Sequence, residues 1–226
     1  IDYETMGSGA MPLYDPDSDA WLATGWPTDR LRGDDGTLDL TTFPNPGAFL
    51  LTSYLAYGMV ALDGYGLNGS IYFAFDRPLD ASSLPNPVES VDDLSIVQLV
   101  NVTAGHPRYG HRTPVEFKVY SSGGDPYYPE NTLAMRPVFG HPLSEGVEYC
   151  ALVTRAVRDV DGDYTQRPER FGAALNGELS GLRDWLKDSP LHTTDVAVAT
   201  CFTTQQATRD LRAIQAFVQN MAVPTV

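Results

Sequence analysis

Alternation of apolar and polar side chains in the central and C-terminal parts of the chain predicts a series of short β-strands. Residues 96–102 and 115–120 alternate in this way, and residues 70–76 are rich in aromatic, β-prone side chains. The other predicted strands are a short one at 133–137 and two longer apolar runs at 149–157 and 196–203. Turns rich in Gly, Pro and Asp separate these segments, and short strands separated by turns are typical of a β-sandwich.

Apolar residues at spacings of three and four predict about three helices. The first lies at 45–62, where Asn45 is expected to be the N-cap and Pro46 the first helical residue. The second lies at 171–188 and the third at 205–221. The third has a clean amphipathic stripe, which consists of Leu211, Ile214, Phe217, Val218 and Met221.

The N-terminal part, residues 1–45, is predicted to be an irregular wrap. Its apolar side chains are expected to pin an extended segment onto a sheet. We therefore predict a mainly β fold, an antiparallel β-sandwich with an irregular N-terminal wrap and about three helices. The predicted parts are a wrap and helix at 1–68, the sandwich at 69–204 with a helical insertion near 171–188, and a helix and linker at 205–226.

Charge and composition exclude several classes of partner. The formal net charge is −14 at pH 7, with 29 Asp and Glu against 15 Lys and Arg. A surface this acidic repels phosphate backbones and anionic lipids, so nucleic acid is not expected as a partner. No apolar run reaches the ~18 residues that a membrane-spanning helix needs, so no transmembrane segment is expected. The length of 226 residues suits one large β-sandwich.

One segment is specific enough to indicate a family. Residues 142–149, Pro-Leu-Ser-Glu-Gly-Val-Glu-Tyr, resemble the Pro-Leu-x-x-Gly-x-x-Tyr corner of bacterial immunoglobulin-like domains. In such a corner the glycine permits a tight bend, and the tyrosine hydroxyl bonds to the backbone of the preceding loop. Residues 71–80, 159–162 and 201–204 are similar to other segments of that family. The resemblance implies an immunoglobulin-like β-sandwich.

A second set of motifs is similar to the N-terminal domain of bacterial virulence-factor lipases. Residues 26–40 resemble the Phe-Pro-x-Asp-x-Leu and Gly-Thr-Leu-x-Leu opening of that domain, and residues 62–67 resemble its Leu-Asp-Gly-Phe-Ser turn. Each motif is short, but their order and spacing agree over most of residues 26–204. In that family the domain precedes an α/β-hydrolase domain in secreted or outer-membrane-anchored proteins.

The resemblance implies a non-catalytic N-terminal module of an exported bacterial lipase- or esterase-like protein. Such a module would position or shield a downstream α/β-hydrolase domain. The expected partner is that domain of the same polypeptide or another envelope protein, and the expected location is secreted or associated with the outer membrane or cell surface. The chain starts without Met, which indicates a processed or trimmed product. Its tail, 223–226, has no capping element, so we expect more protein to follow. The alternative is a structural or adhesive cell-surface immunoglobulin-like module without a hydrolase partner.

The sequence contains no motif that indicates catalysis by this chain itself. An α/β-hydrolase needs Gly-x-Ser-x-Gly, in which a strained turn exposes the serine, and no serine here has glycine at both positions. The histidines fall in predicted loops without a paired nucleophile; they are His106, His111, His141 and His192. We therefore expect ester hydrolysis from the parent protein and not from this chain.

Two aspartate-rich turns are candidate calcium sites, because calcium loops carry carboxylates at alternate positions. The first contains Asp15, Asp17 and Asp19, and the second contains Asp159, Asp161 and Asp163. Neither pattern is complete, since glycine does not follow the third aspartate and Arg170 stands where the second loop needs a glutamate. The alternative is a solvated hairpin turn, and no cofactor other than calcium is expected.

The loop at 105–112 concentrates basic side chains in an otherwise acidic chain. It contains His106, Arg108, His111 and Arg112, together with a tyrosine. Such a group could bind an anion or the acidic face of a partner. The two histidines could also contribute to a metal site, although their spacing is unfavourable and no third ligand is apparent. The alternative is a plain exposed hairpin loop.

The two cysteines, Cys150 and Cys201, fall in the last two predicted strands. Neighbouring antiparallel strands bring Cβ atoms close enough for a disulfide if the register agrees, and export would supply the oxidant. The alternative is a pair of buried free thiols, since cysteine packs well as a small apolar residue. Neither cysteine lies in a Cys-x-x-Cys motif, which argues against a metal site.

Overall fold

The computed structural model describes residues 9–123 and 125–221 of the chain. The strands are β1 (Ile71–Ala74), β2 (Val97–Asn101), β3 (Val115–Tyr120), β4 (Thr132–Pro137), β5 (Glu148–Thr154) and β6 (Val196–Thr203). The α-helices are α1 (Phe49–Ala61), α2 (Phe171–Ala174), α3 (Ser180–Leu186) and α4 (Arg209–Gln219). Two predicted segments lie partly outside the described residues. They are the start of the wrap, 1–8, and the end of the linker, 222–226, which includes the tail at 223–226.

The strands form two three-stranded antiparallel sheets. One sheet has the order β1-β4-β3 and the other has the order β2-β5-β6. Side chains from both sheets belong to one hydrophobic cluster, in which Phe73 of β1 and Leu99 of β2 are almost completely buried. The chain is thus a small mixed protein with two sheets and, in its described part, four helices. This arrangement is consistent with the predicted β-sandwich.

Cys150 and Cys201 form a disulfide that links β5 to β6. The two residues oppose each other directly in the antiparallel register, and their Cα atoms are 4.1 Å apart. Both side chains are buried in the core. The cysteines therefore form the disulfide that the strand pairing predicts, and they are not free thiols.

The N-terminal wrap adds an edge to the first sheet. Leu13 N donates to Ala74 O at 2.8 Å, and Asp76 N donates to Met11 O at 3.0 Å, so residues 11–13 run antiparallel beside β1. These bonds satisfy backbone groups at an otherwise open strand edge.

Aromatic side chains of the wrap pack on β1 and on one another. The Trp21 ring lies 5.8 Å from the Tyr72 ring of β1 and 5.7 Å from the Trp26 ring. Phe43 contacts both tryptophans, with ring centroids 5.3 and 5.4 Å apart. Edge-to-face aromatic pairs stabilise a contact beyond the area they bury, so this cluster holds the irregular segment in place.

Helix α1 starts at Phe49, so the assignment of Asn45 as its N-cap is wrong. The Asn45 side chain instead accepts a hydrogen bond from Gly47 N at 3.0 Å. Gly47 has a φ of 89°, a left-handed conformation that a right-handed helix does not accommodate. The helix therefore begins only after this glycine.

The other two predicted helices are also shorter than expected. The segment at 171–188 forms two helices, α2 and α3, separated by a turn that contains Asn176-Gly177. This dipeptide favours a turn over a continuing helix. The segment at 205–221 is helical over Arg209–Gln219. The number of helices is consequently four in the described part of the chain.

We expect Gly64→Ala to lower the free energy of unfolding by about 1–3 kcal/mol, because the added methyl group would overlap backbone atoms that lie close to Gly64. A Cβ at Gly64 would lie 2.7 Å from Gln205 N and 2.8 Å from Thr203 O, at the end of β6. Urea unfolding measures the loss. The matched control is Gly66→Ala, whose methyl would meet no atom within 4 Å. An equal loss in both variants would contradict the steric explanation.

Candidate functional site

The loop between β2 and β3 has a compact, well-supported backbone. Gly110 N donates to Asn101 O at 2.8 Å, and Asn101 N donates to His111 O at 3.1 Å. Gly110 has a φ of 75° and lies against the Trp185 indole, where an added Cβ would be 3.3 Å from Nε1. These contacts set the directions in which the loop projects its side chains.

His106, one of the predicted binding residues, takes part in the loop itself. Its Nδ1 accepts a hydrogen bond from Arg108 N at 3.1 Å and lies 2.9 Å from Asn101 Nδ2. This ring nitrogen therefore organises the turn and is not available to a ligand.

Arg112, a second predicted binding residue, is also committed to structure. Its Nε donates to Gln98 Oε1 at 2.7 Å, and its Nη1 pairs with Asp93 at 2.7 Å. The guanidinium lies 5.3 Å from the Trp185 ring centre, and the side chain is only 12% exposed. Arg112 thus fixes the loop to α3 and to the start of β2, and the prediction that it binds an external group is not supported by its surroundings.

Arg108 and His111, the other two predicted binding residues, line a polar cavity of about 330 Å³. His141, from the turn between β4 and β5, lines the same cavity, as do Thr113 and Tyr149. The sequence indicates His141 only as a loop histidine, because no local pattern connects it to the β2–β3 loop. Strand pairing brings these two loops to one end of the sandwich.

The tyrosine corner predicted at 142–149 is present and forms one wall of this cavity. Ser144 N donates to the Tyr149 hydroxyl oxygen at 3.1 Å. Gly146 has a φ of 64°, which permits the bend that the resemblance implied. Val147 N donates to the Thr204 hydroxyl at 2.9 Å, which ties the corner to the end of β6.

The first aspartate-rich turn is occupied by an arginine from another part of the chain. Arg170 Nη1 lies 2.7 Å from Asp15 Oδ1 and 2.8 Å from Asp17 Oδ2. Two of the three carboxylates of this turn are therefore paired with a guanidinium. An ion pair of this kind competes with calcium for the same oxygens.

In the second turn, Asp159 organises the backbone. It is fully buried, and its Oδ1 accepts hydrogen bonds from Asp161 N and Asp163 N, both at 3.0 Å. Its Oδ2 has no hydrogen-bond partner in the described chain. Within residues 9–123 and 125–221, these three carboxylates do not bring their oxygens within 4.8 Å of one another. Calcium binding here stays a prediction.

A single group of three potential metal ligands converges within 4.8 Å in the described residues, namely Glu148, Cys150 and Cys201. Both sulfurs belong to the disulfide, so they are not available as thiolate ligands. Burial raises the pKa of the Glu148 carboxyl, and the nearby Asp29 charge raises it further. The group is therefore a disulfide beside a poorly solvated carboxyl, with one metal-binding side chain.

The histidines do not form the pairs that nucleophilic hydrolases use. In the described part of the chain, no histidine side chain hydrogen-bonds to a serine, threonine or carboxylate. His192 is instead the N-cap of a short 3-10 helix, where its backbone N donates to Asp195 Oδ2 at 2.7 Å. Nucleophilic catalysis needs a nucleophile and a base within hydrogen-bond reach.

Two helices leave large apolar side chains exposed. Every residue of α4 is exposed, and the predicted stripe residues Leu211, Ile214, Phe217, Val218 and Met221 are 57–69% exposed. Helix α1 turns Leu55 and Met59 towards the sandwich. Its outer side consists of exposed Phe49, Leu50, Tyr54, Tyr57 and Val60. Both helices therefore present apolar surface that the described chain does not cover.

None of the helices in the described residues is long and apolar enough to cross a membrane. The longer of the two exposed helices, α1, has 13 residues, whereas a membrane-spanning helix needs ~20.

No protein-family profile matches this chain, and the search of curated proteins found no match to its sequence.

Proposed function

We propose that this chain is a non-catalytic module of an exported bacterial lipase- or esterase-like protein, and that it positions or shields an α/β-hydrolase domain of the same polypeptide. The observation that carries the proposal is the exposed apolar surface of α1 and α4. Large exposed apolar patches on globular domains are typical of interaction sites.

The two exposed helices are anchored to the same place on the sandwich. Asp63, just after α1, pairs with Arg209 at the start of α4 at 2.8 Å. Asp63 also accepts a hydrogen bond from Gln206 N at 3.0 Å. Glu145 of the tyrosine corner pairs with Arg212 at 3.0 Å. The first turn of α4 is thus fixed beside the end of α1, so one partner surface can contact both helices.

Helix α4 needs a partner to be stable. An isolated helix shorter than about 12–15 residues is marginal in water, and none of the 11 residues of α4 is buried. Its ion pairs with Asp63 and Glu145 hold only the first turn. Burial of the apolar stripe against a neighbouring domain supplies the missing stabilisation.

Charge favours a linked domain over a second copy of this chain as that partner. Each copy carries a net charge of −14, so two copies repel each other as they approach. A domain in the same polypeptide is held at high effective concentration and need not carry the same charge. The run between Asp39 and Asp63, which includes α1, contains no charged residue and suits an apolar partner surface.

Strand order supports the immunoglobulin-like part of the proposal. In constant-type immunoglobulin domains one sheet contains strands A, B, E and D, and the other contains C, F and G. If β1 to β6 are taken as strands B to G, the two sheets have the orders B-E-D and C-F-G. Residues 11–13, antiparallel beside β1, then take the position of strand A.

The tyrosine corner supports the same assignment, and the disulfide supports the export of the protein. Tyr149 lies near the start of β5, the equivalent of strand F, where immunoglobulin-like domains have their tyrosine corner. The Cys150–Cys201 disulfide joins the equivalents of strands F and G. Structural disulfides persist in oxidising compartments and are rare in the cytosol, which favours a location outside it.

In the full-length polypeptide, we expect Ile214→Gln with Phe217→Gln to lower the free energy of unfolding by roughly 2 kcal/mol or more, because two apolar side chains lose a buried contact. In this chain alone the same pair of changes should alter it by less than about 0.5 kcal/mol, since both side chains are exposed. Scanning calorimetry of both proteins makes the comparison. The matched control, Ala213→Gln with Ala216→Gln, places two glutamines away from the stripe and should affect neither protein.

Hydrolysis of short- and medium-chain nitrophenyl esters, measured on the same proteins, separates the possible functions. Activity in the full-length polypeptide alone supports the accessory module. Activity in this chain by itself contradicts a non-catalytic role. If neither protein is active and the stripe variants have no effect, the structural or adhesive surface module is favoured.

A further inference from the structure

The polar cavity between the β2–β3 loop and the β4–β5 turn has a basic lining in a strongly acidic protein. Arg108, His111 and His141 line it together with Thr113 and Tyr149. No carboxylate is among the described residues that surround it. Basic and hydroxyl groups therefore face this space of about 330 Å³ without an acidic side chain to pair with them.

Arg108 differs from the other arginines of the described chain. Every other arginine has a hydrogen bond, an ion pair or a similar partner, most often a carboxylate or a carbonyl oxygen. In the part of the chain that the structure describes, the Arg108 guanidinium has none of these. This guanidinium is thus left without a partner in a chain whose acidic residues outnumber its basic ones 29 to 15.

The remaining polar groups around the cavity are also able to donate. Neither the His111 nor the His141 imidazole forms a hydrogen bond within the described residues, and each ring has at least one N–H in either charge state. The Tyr149 hydroxyl oxygen already accepts from Ser144 N, so its hydrogen is left to donate. Donors from three separate segments thus converge on one space.

We propose that this cavity binds an oxyanion, the phosphate or sulfate group of a small ligand. A guanidinium binds such groups through two parallel hydrogen bonds, and histidine and hydroxyl donors complete the shell. The cavity volume of about 330 Å³ is at the lower end of the range for small-molecule sites, ≈ 300–1,000 Å³. It accommodates the anionic group and a small organic part.

An exposed aromatic ring lies next to this site along the chain. Phe139 is 99% exposed and precedes His141 in a turn that His141 N closes by donating to Val138 O at 2.9 Å. A ring left in water at the mouth of a turn offers an apolar face to the organic part of a ligand. An oxyanion of this kind belongs either to a free ion or to a monoester with an organic part.

The test is calorimetric titration of the whole chain with inorganic phosphate, sulfate and glycerol 3-phosphate at constant ionic strength. We expect binding by the natural chain, and binding weakened roughly tenfold or more by Arg108→Gln, because a charged hydrogen-bond partner is lost. Tighter binding of glycerol 3-phosphate indicates a monoester ligand with an organic part. Tighter binding of inorganic phosphate indicates a free ion.

The matched control is Arg77→Gln, which removes an exposed guanidinium that does not line the cavity and lies 3.7 Å from Asp76. It should leave the affinity unchanged. His141→Gln is the second test variant, since a role for the β4–β5 turn requires that it also weakens binding. Arg108 has no partner to lose, so its variant should unfold at the same temperature as the natural chain. Absence of binding at millimolar phosphate, or equal losses in Arg108→Gln and Arg77→Gln, would overturn the proposal.

Discussion

Replacement of Cys150 and Cys201 together by alanine is expected to lower the free energy of unfolding by about 3–4 kcal/mol. The disulfide joins residues separated by 51 positions, so its loss releases a long loop in the unfolded chain. Alanine is the appropriate replacement because both side chains are buried, where a serine hydroxyl would lack a partner. Urea unfolding of the oxidised natural chain and of the double variant gives the difference.

A reducing agent supplies the control for this experiment. It should destabilise the natural chain by a similar amount and leave the double variant unchanged. A loss below about 1 kcal/mol would contradict this expectation. It would mean that residual structure already restricts the unfolded chain when the covalent link is absent.

Replacement of Phe73 by alanine is expected to lower the free energy of unfolding by about 3–5 kcal/mol, because it leaves a cavity where a buried ring was packed. Phe73 lies on β1 and is 1% exposed. Its ring packs against Gly25 of the wrap, where an added Cβ would lie 3.0 Å from a ring carbon. Its loss therefore weakens both the core of the first sheet and the attachment of the wrap. Chemical denaturation measures the change.

Phe139→Ala removes the same side chain from a fully exposed position and is the matched control. We expect it to change the free energy of unfolding by less than about 0.5 kcal/mol. Similar losses in the two variants would contradict the explanation that burial of the Phe73 ring accounts for its effect.

The local pattern of the sequence predicts most of the strands. The predicted ranges 115–120 and 196–203 coincide with β3 and β6, since alternation and β-branched side chains act within a few residues. The start of α1 could not be predicted in this way. Asn45-Pro46 is a sound N-terminal signal, but the left-handed Gly47 two residues later decides where the helix begins.

The candidate site illustrates the limit of sequence reasoning more clearly. Basic residues in the β2–β3 loop were predicted as one group, but the structure divides them according to their neighbours. Arg112 is paired with Asp93, and His106 supports the turn, whereas Arg108 lines a cavity together with His141 from another loop. His106 bonds within its own loop, whereas the surroundings of Arg112 and Arg108 depend on residues that are more distant along the chain.

The sequence by itself determined the segments that become strands, the tyrosine corner, and the acidic character of the chain, with its formal net charge of −14. These properties follow from side-chain periodicity, turn chemistry and charge, all of which act locally or as a sum over the chain. Tertiary structure alone decided that Cys150 opposes Cys201, that Arg170 occupies the first aspartate turn, and that Arg108 and His141 line the same cavity. Those contacts join segments far apart in sequence, because strand register and sheet packing bring them together, and no local pattern encodes which distant side chain will be the neighbour.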